Sequence, residues 1–174
     1  MKSVVFGGGC FWCTEAVFQN LKGVTKVFPG YAGGNRENPT YEQVATGVTG
    51  HAEVIQISYD PTQISFQDLL LVFFATHDAS QLNRQGYDEG SEHRSLIYFT
   101  TKEQEKLASA MIQKLQANGK KVVTELKPLA AFYPAEVYHH NYYKLNSEQP
   151  YCQFIIVPKL EKLWKEFGHL YAEK

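Results

Sequence analysis

The first fifteen residues impose the tightest constraint on this chain. Val4-Val5-Phe6, a short apolar strand, runs through Gly7, Gly8 and Gly9 into Cys10-Phe11-Trp12-Cys13-Thr14-Glu15. Three successive glycines are costly in backbone entropy at an element boundary unless the turn needs positive φ or a close approach. The pattern therefore predicts a strand turning directly into a helix, with Cys10 at the helix start. Unpaired backbone N–H groups and the positive end of the helix dipole favour a thiolate there, the nucleophilic form of cysteine. Free cysteine is usually a small buried hydrophobe. Glycines before this thiol and two large aromatics after it point instead to a catalytic nucleophile.

Apolar spacing organises the rest. Cys13, Val17 and Leu21 recur every four residues with Phe18 beside them, one helix face ended by Gly23, which turns Cys13 toward the core. Residues 24–44, rich in Gly, Asn and Pro, read as a long ordered loop. Residues 53–59 alternate as a strand, with Ile55, Ile57 and Tyr59 on one side, Gln56 and Ser58 on the other, and Glu53 in the apolar phase. Ser65 and Asp68 predict a capped helix through Thr76, followed by a second loop over 77–92 and a buried strand over 95–100. Thr101 with Gln104 opens a helix closed at Asn118-Gly119. A strand over 122–126, a loop over 128–134, a short helix over 135–145 and an amphipathic helix marked by Leu160, Leu163, Trp164, Phe167 and Leu170 complete the reading. About four strands alternating with helices imply an α+β fold: a two-layer α/β sandwich whose mixed, mainly antiparallel sheet carries packed helices and long ordered loops. A length of 174 residues with 44% hydrophobic and 20% charged residues suits one domain over 1–174.

Net charge is −1 with scattered lysines, which argues against nucleic acid or an anionic membrane as partner. The longest apolar run, residues 69–75, falls far short of the roughly 20 residues a membrane span needs, and the N-terminus lacks a signal peptide's apolar stretch. A cytoplasmic setting is expected, with a small molecule or a peptide as partner. Three cysteines, an odd number, favour redox or catalytic use over a disulfide scaffold.

A thiolate attacking an oxygen-bearing centre needs a proton donor. Glu53 is the best candidate for that acid: if its strand phase turns it toward apolar neighbours, desolvation raises its pKa, the alternative being a strand-end glutamate in water. None of the six histidines sits in a motif that marks it as a catalytic base. Cys10 and Cys13 also have the CxxC spacing of thioredoxin-like thiol-disulfide oxidoreductases, although the Gly-rich approach differs from theirs. A non-catalytic thiol or metal-binding module is a third reading; no ligand cluster has the usual metal spacing, so no metal is expected.

Taken in order, Gly8-Gly9-Cys10-Phe11-Trp12, Gly30-Tyr31-Ala32-Gly33-Gly34, Pro39-Thr40-Tyr41, His51-Ala52-Glu53-Val54, Asn83-Arg84-Gln85-Gly86 with Asp88, Arg94-Ser95 and Phe132-Tyr133-Pro134-Ala135-Glu136 resemble the A-type peptide methionine sulfoxide reductases. The blocks span nearly the whole chain. The resemblance implies reduction of the S epimer of methionine sulfoxide, free or in proteins, to methionine. In that reading Cys10 attacks the sulfoxide sulfur and becomes a sulfenic acid, Glu53 protonates the oxygen, and Tyr41 donates a second hydrogen bond to it. Phe11 and Trp12 would hold the S-methyl group and Asp88 the substrate backbone. His93 stands where the family usually has a tyrosine; its imidazole can still donate to the oxygen but titrates near neutrality. Cys152 resembles the resolving cysteine of some relatives and lies on a C-terminal segment expected to swing over the site, which favours it as the first resolver. Cys13 is then a direct resolver or second relay thiol. No bound cofactor is expected, and thioredoxin would be the final reductant.

Overall fold

The structure is a computed structural model that describes residues 1–172. In chain order its elements are β1 (Lys2–Gly7), α1 (Phe11–Phe18), β2 (Val24–Ala32), α2 (Tyr41–Ala45), β3 (Ala52–Tyr59) and α3 (Phe66–Thr76). There follow a two-residue hairpin of β4 (Arg84–Gln85) and β5 (Asp88–Glu89), then β6 (Leu96–Phe99), α4 (Lys102–Ala117), β7 (Glu125–Pro128) and β8 (Phe132–Pro134). After α5 (Tyr142–Leu145), a π-helical turn over Cys152–Ile156 leads into α6 (Val157–Phe167).

One six-stranded sheet runs in the order β7-β6-β1-β3-β2-β8, antiparallel except for the β6–β7 pair, which α4 connects as a crossover. The α+β sandwich with a mixed, mainly antiparallel sheet is thus the observed architecture. Central β1 explains itself: Val4, Val5 and Phe6 are β-formers buried on both faces. Val4 and Phe6 join the helix-side core with Ile55, Ile57 and Tyr59 of β3, and the Phe6 ring stacks on Phe73 of α3 at 4.6 Å. Val5 faces a smaller cluster with Ala32, Val54, Leu96 and Tyr98 on the other side. Glu53 lies in the phase of Ile55 and Ile57, so the alternation carries it onto the helix side.

Both predicted caps are present. Ser65 accepts from the Asp68 N–H at 3.0 Å and Thr101 from the Gln104 N–H at 3.2 Å, opening α3 and α4 at the expected residues. The reading of 24–44 as loop is corrected: residues 24–32 form β2, the strand between β3 and β8. Pro29 and Gly30 disguised it. The Pro29 carbonyl accepts from Ala135 N–H at 2.9 Å, so its missing donor faces the side where β8 is only three residues long. Any Cβ on Gly30 would collide with the Phe132 ring and the Tyr133 carbonyl, which lie across it. In the same stretch α2 is one turn long, held by a Thr40–Gln43 capping box.

Three other boundaries differ. β7 begins at Glu125, not at 122, because the Val123 N–H is used by the Ala79 carbonyl at 2.8 Å. The predicted loop over 128–134 contains β8. The helix predicted over 135–145 is broken at Asn141, whose φ of 55° is left-handed. Buried Glu15 accepts the Asn141 and Tyr142 N–H groups at 3.1 and 3.3 Å and so starts a new four-residue helix, α5. Among the described residues no helix is long and apolar enough to cross a membrane.

Candidate active site

Antiparallel pairing gathers the site at one sheet end, where β1 and β2 finish and β3 and β6 begin. Gly9 makes the turn from β1 to α1: its φ is +97°, and a Cβ there would lie 2.8 Å from the Gln85 side chain. Cys10 is the N-cap of α1, as predicted, but its side chain makes no capping hydrogen bond. Register with Tyr31 sets Glu53 near the start of β3, and the Phe11 N–H donates to its Oε1 at 3.4 Å.

Glu53 is 3% exposed. Burial pushes its pKa up to about 8, and the negative charges of Asp88 and Glu92 push the same way, against the single Phe11 N–H. A carboxyl group that keeps its proton at neutral pH is the result. His93 sits between two acids, its Nδ1 3.7 Å from Glu53 Oε2 and its Nε2 3.7 Å from Glu92 Oε1. Its buried Nδ1 has no hydrogen-bond partner among the described residues.

The expectation of a resting Cys10 thiolate is corrected. Cys10 keeps some surface in the cleft, yet its thiol is hemmed in by protein, and burial pushes its pKa well up. Donation of its S–H to Cys13 and the nearby Glu53 charge add to this, against one favourable contact from the Trp12 N–H. Desolvation therefore outweighs the helix terminus. Cys13 is the acidic member of the pair: the hydrogen bond from Cys10 brings it down to about 7, helped by Lys159 and Tyr151, with burial opposing. The residue assigned to the core does turn inward, and it also lines the cleft with Cys10.

That cleft has a volume of about 420 Å³ and is bounded by the β4–β5 turn on one side and by Tyr151, Phe154 and Lys159 on the other. Asp88 lies in its wall. Tyr41 is near enough to Glu53 and Cys10 that burial and their charges push its phenol up to about 12. Phe11 is fully buried beneath the site, its ring stacked on Tyr41 at 6.4 Å. Trp12 stays partly open, lying flat on Tyr142 at 3.7 Å with the Tyr151 ring edge-on at 5.8 Å. Neither Phe11 nor Trp12 lines the 420 Å³ cleft itself.

Cys152 is wholly buried within the π-helical turn before α6. That turn runs on into α6, whose Leu160 and Leu163 are core residues. Cys152 and Cys13 are close enough for the charge of Cys13 to raise the Cys152 thiol further, on top of burial. All three thiols are free.

Three site residues escaped the sequence reading. His139, 1% exposed, accepts the Trp12 indole N–H on Nδ1 at 3.0 Å. Glu136 accepts from the Tyr31 hydroxyl at 2.9 Å and from the Tyr41 N–H at 3.1 Å, tying β2 to α2. Tyr151 contacts both Cys13 and Asp88 through its hydroxyl. Glu136 stood within a quoted block; the other two had no local signal, since both act across more than 60 residues of sequence.

The family model described as peptide methionine sulfoxide reductase matches residues 2–170. A protein named peptide methionine sulfoxide reductase MsrA from Nautilia profundicola is 54% identical over 165 residues, 95% of each chain. One of the same name from Acinetobacter baumannii is 53% identical over the whole of both chains. Among solved structures, the reduced form of Mxr1 from Saccharomyces cerevisiae has a TM-score of 0.80 at 31% identity, covering 87% of this chain and 88% of that one. Mxr1 has also been solved in complex with Trx2, where the likeness falls to a TM-score of 0.56 and 23% identity over 81% of this chain and 84% of that one. With a family model matching residues 2–170 and identity above one half over nearly the whole of both chains, the chain belongs to the peptide methionine sulfoxide reductase family.

Proposed function

We propose that the chain reduces the S epimer of methionine sulfoxide, free or in polypeptides, with Cys10 as nucleophile, Glu53 as acid and Cys13 as the first resolving thiol. The observation that carries this reading is a buried carboxyl group, Glu53, that accepts the N–H of the residue next to Cys10, with Cys10 and Cys13 side by side in one cleft wall. As the Cys10 sulfur attacks the sulfoxide sulfur, its proton passes to Cys13 and the Glu53 proton passes to the oxygen. Methionine leaves, the oxygen stays on Cys10 as a sulfenic acid, and Glu53 is left as carboxylate. Tyr41 and His93 donate to the oxygen as its charge grows, Asp88 holds the substrate backbone, and Trp12, backed by Phe11, receives the methyl group.

Cys13 then attacks the Cys10 sulfur: the S–S bond forms, the S–O bond breaks, and the hydroxide leaves as water with a proton that Glu53 has regained from solvent. Adjacency to Cys10 supports Cys13, and the packing of Cys152 beside Cys13 supports a second exchange from the Cys10–Cys13 bond. No bound cofactor enters the scheme. Thioredoxin is the final reductant in this reading, supported by the complex formed by the yeast relative, and a reducing cytoplasmic compartment suits three free thiols.

The test is a dithiothreitol-coupled assay with the separate S and R epimers of methionine sulfoxide. Wild type is expected to turn over the S epimer alone and Cys10→Ser neither. Reduction of insulin disulfides without sulfoxide turnover would contradict the proposal and favour a thioredoxin-like oxidoreductase.

A further inference from the structure

Tyr151 has no part in the scheme so far, yet its hydroxyl occupies a specific position. It lies 3.4 Å from Cys13 Sγ and donates to Asp88 Oδ2 at 3.1 Å, so one oxygen joins the thiol to the carboxylate. Edge-on packing against Trp12 fixes the ring. Burial and the surrounding negative groups push the phenol far above its usual range, so Tyr151 stays protonated throughout. A hydroxyl that never ionises but has a donor on one side and an acceptor on the other is a conduit for protons.

Such a conduit is needed. Cys13 leaves the first chemical step holding the proton it took from Cys10, and only its thiolate can attack the sulfenic acid. The groups facing it are Cys10, Tyr151, Lys159, Asp88 and Cys152, with Glu53 beyond Cys10. Of the carboxylates, Asp88 is the one reached through a hydrogen-bonded chain from Cys13, and it lines the open cleft, where it can pass a proton to water.

We propose that Tyr151 and Asp88 form a proton relay that deprotonates Cys13 for its attack on the Cys10 sulfenic acid. The Cys13 S–H proton moves to the Tyr151 oxygen as the Tyr151 proton moves to Asp88; the electron pair left on Cys13 makes the S–S bond. Asp88 releases its proton to solvent, and the hydroxide departing from Cys10 takes up another through Glu53. This inference rests on Cys13 being the resolving thiol.

Rapid-quench turnover without reductant separates the two steps: methionine formed per site reports the first, loss of free thiols the second, and dimedone captures the sulfenic acid between them. Tyr151→Phe keeps the ring on Trp12 but removes the hydroxyl; Asp88→Asn keeps an acceptor oxygen but cannot take the proton. In Tyr151→Phe the ratio of the second rate to the first is expected to fall about tenfold, the size of one hydrogen bond to a charged group; in Asp88→Asn, where the substrate contact is also lost, the second rate alone is compared and falls likewise. The Cys10 dimedone adduct should accumulate, and the second step should need higher pH than in wild type. In Tyr151→Phe an unchanged ratio, or a parallel fall in both rates, overturns the relay while leaving the reductase scheme intact. A Cys10–Cys152 bond as the first disulfide, or no methionine from wild type, overturns the scheme and the relay together.

Discussion

The Phe11 N–H donates to Glu53 Oε1 across 3.4 Å, so the residue after the nucleophile and the buried acid share one anchor. This contact is too weak to keep Glu53 ionised against its burial, and the sheet register holds the acid where the first turn of α1 ends its approach. The acid is therefore charged with a proton before substrate arrives.

Activity should follow a bell-shaped pH profile bounded by the two shifted groups. Below about 7 Cys13 is protonated and no longer accepts the Cys10 proton; above about 8 Glu53 ionises and the oxygen loses its donor. Glu53→Gln should lower kcat about a hundredfold or more and abolish the alkaline limb, because an amide neither ionises nor donates an acid proton. Steady-state rates across pH check both statements.

The same burial makes a statement about stability. The unfolded chain releases the Glu53 proton near its ordinary value of 4.5, whereas the folded protein holds it to about 8. Between those values the folded state binds more protons, so stability falls as pH rises through that window. Thermal denaturation of Glu53→Gln should show a melting temperature less dependent on pH, exceeding wild type most at the alkaline end. A wild-type advantage that grows with pH would contradict this.

His139 is a positioning residue for Trp12. Indole N–H groups only donate, so His139 Nδ1 must carry a lone pair and the ring must be neutral, a form that burial favours. His139→Leu should raise KM about tenfold with a smaller change in kcat and should shift Trp12 fluorescence, as expected for loss of one buried hydrogen bond. His139→Gln, which restores an acceptor, should recover much of both.

At position 93 an imidazole takes the place of the family's usual tyrosine. It stands 3.7 Å from Glu53 and from Glu92, where a ring N–H can donate in place of a phenol hydroxyl. His93→Phe, which removes that donor, is expected to lower kcat about tenfold, the size of one hydrogen bond to a growing charge. An unchanged kcat would remove His93 from the stabilisation of the sulfoxide oxygen.

Much of this site was legible because its decisive features are local. Strand parity alone carried Glu53 to the core side with Ile55 and Ile57, and three glycines announced the turn that presents Cys10. The thiolate expectation erred because helix-terminus electrostatics are visible in sequence while desolvation is not, and desolvation was larger. Strand β2 was hidden by Pro29 and Gly30, residues that local rules exclude from strands and that only the positions of Ala135 and Phe132 explain. The burial of Cys152 was not legible because nothing near it in sequence shows that the turn before α6 packs it into the core. Tyr151 and His139 were out of reach for the same reason: their partners lie 63 to 138 residues away.

The central claim is that the oxygen taken by Cys10 is released by Cys13. Wild-type protein given one equivalent of S-epimer methionine sulfoxide without reductant, quenched in acid and alkylated within the first turnover, can be digested and its disulfides mapped by mass spectrometry. A Cys10–Cys13 bond as the first product, with any Cys13–Cys152 bond appearing later, is the result predicted; a Cys10–Cys152 bond formed first would contradict it.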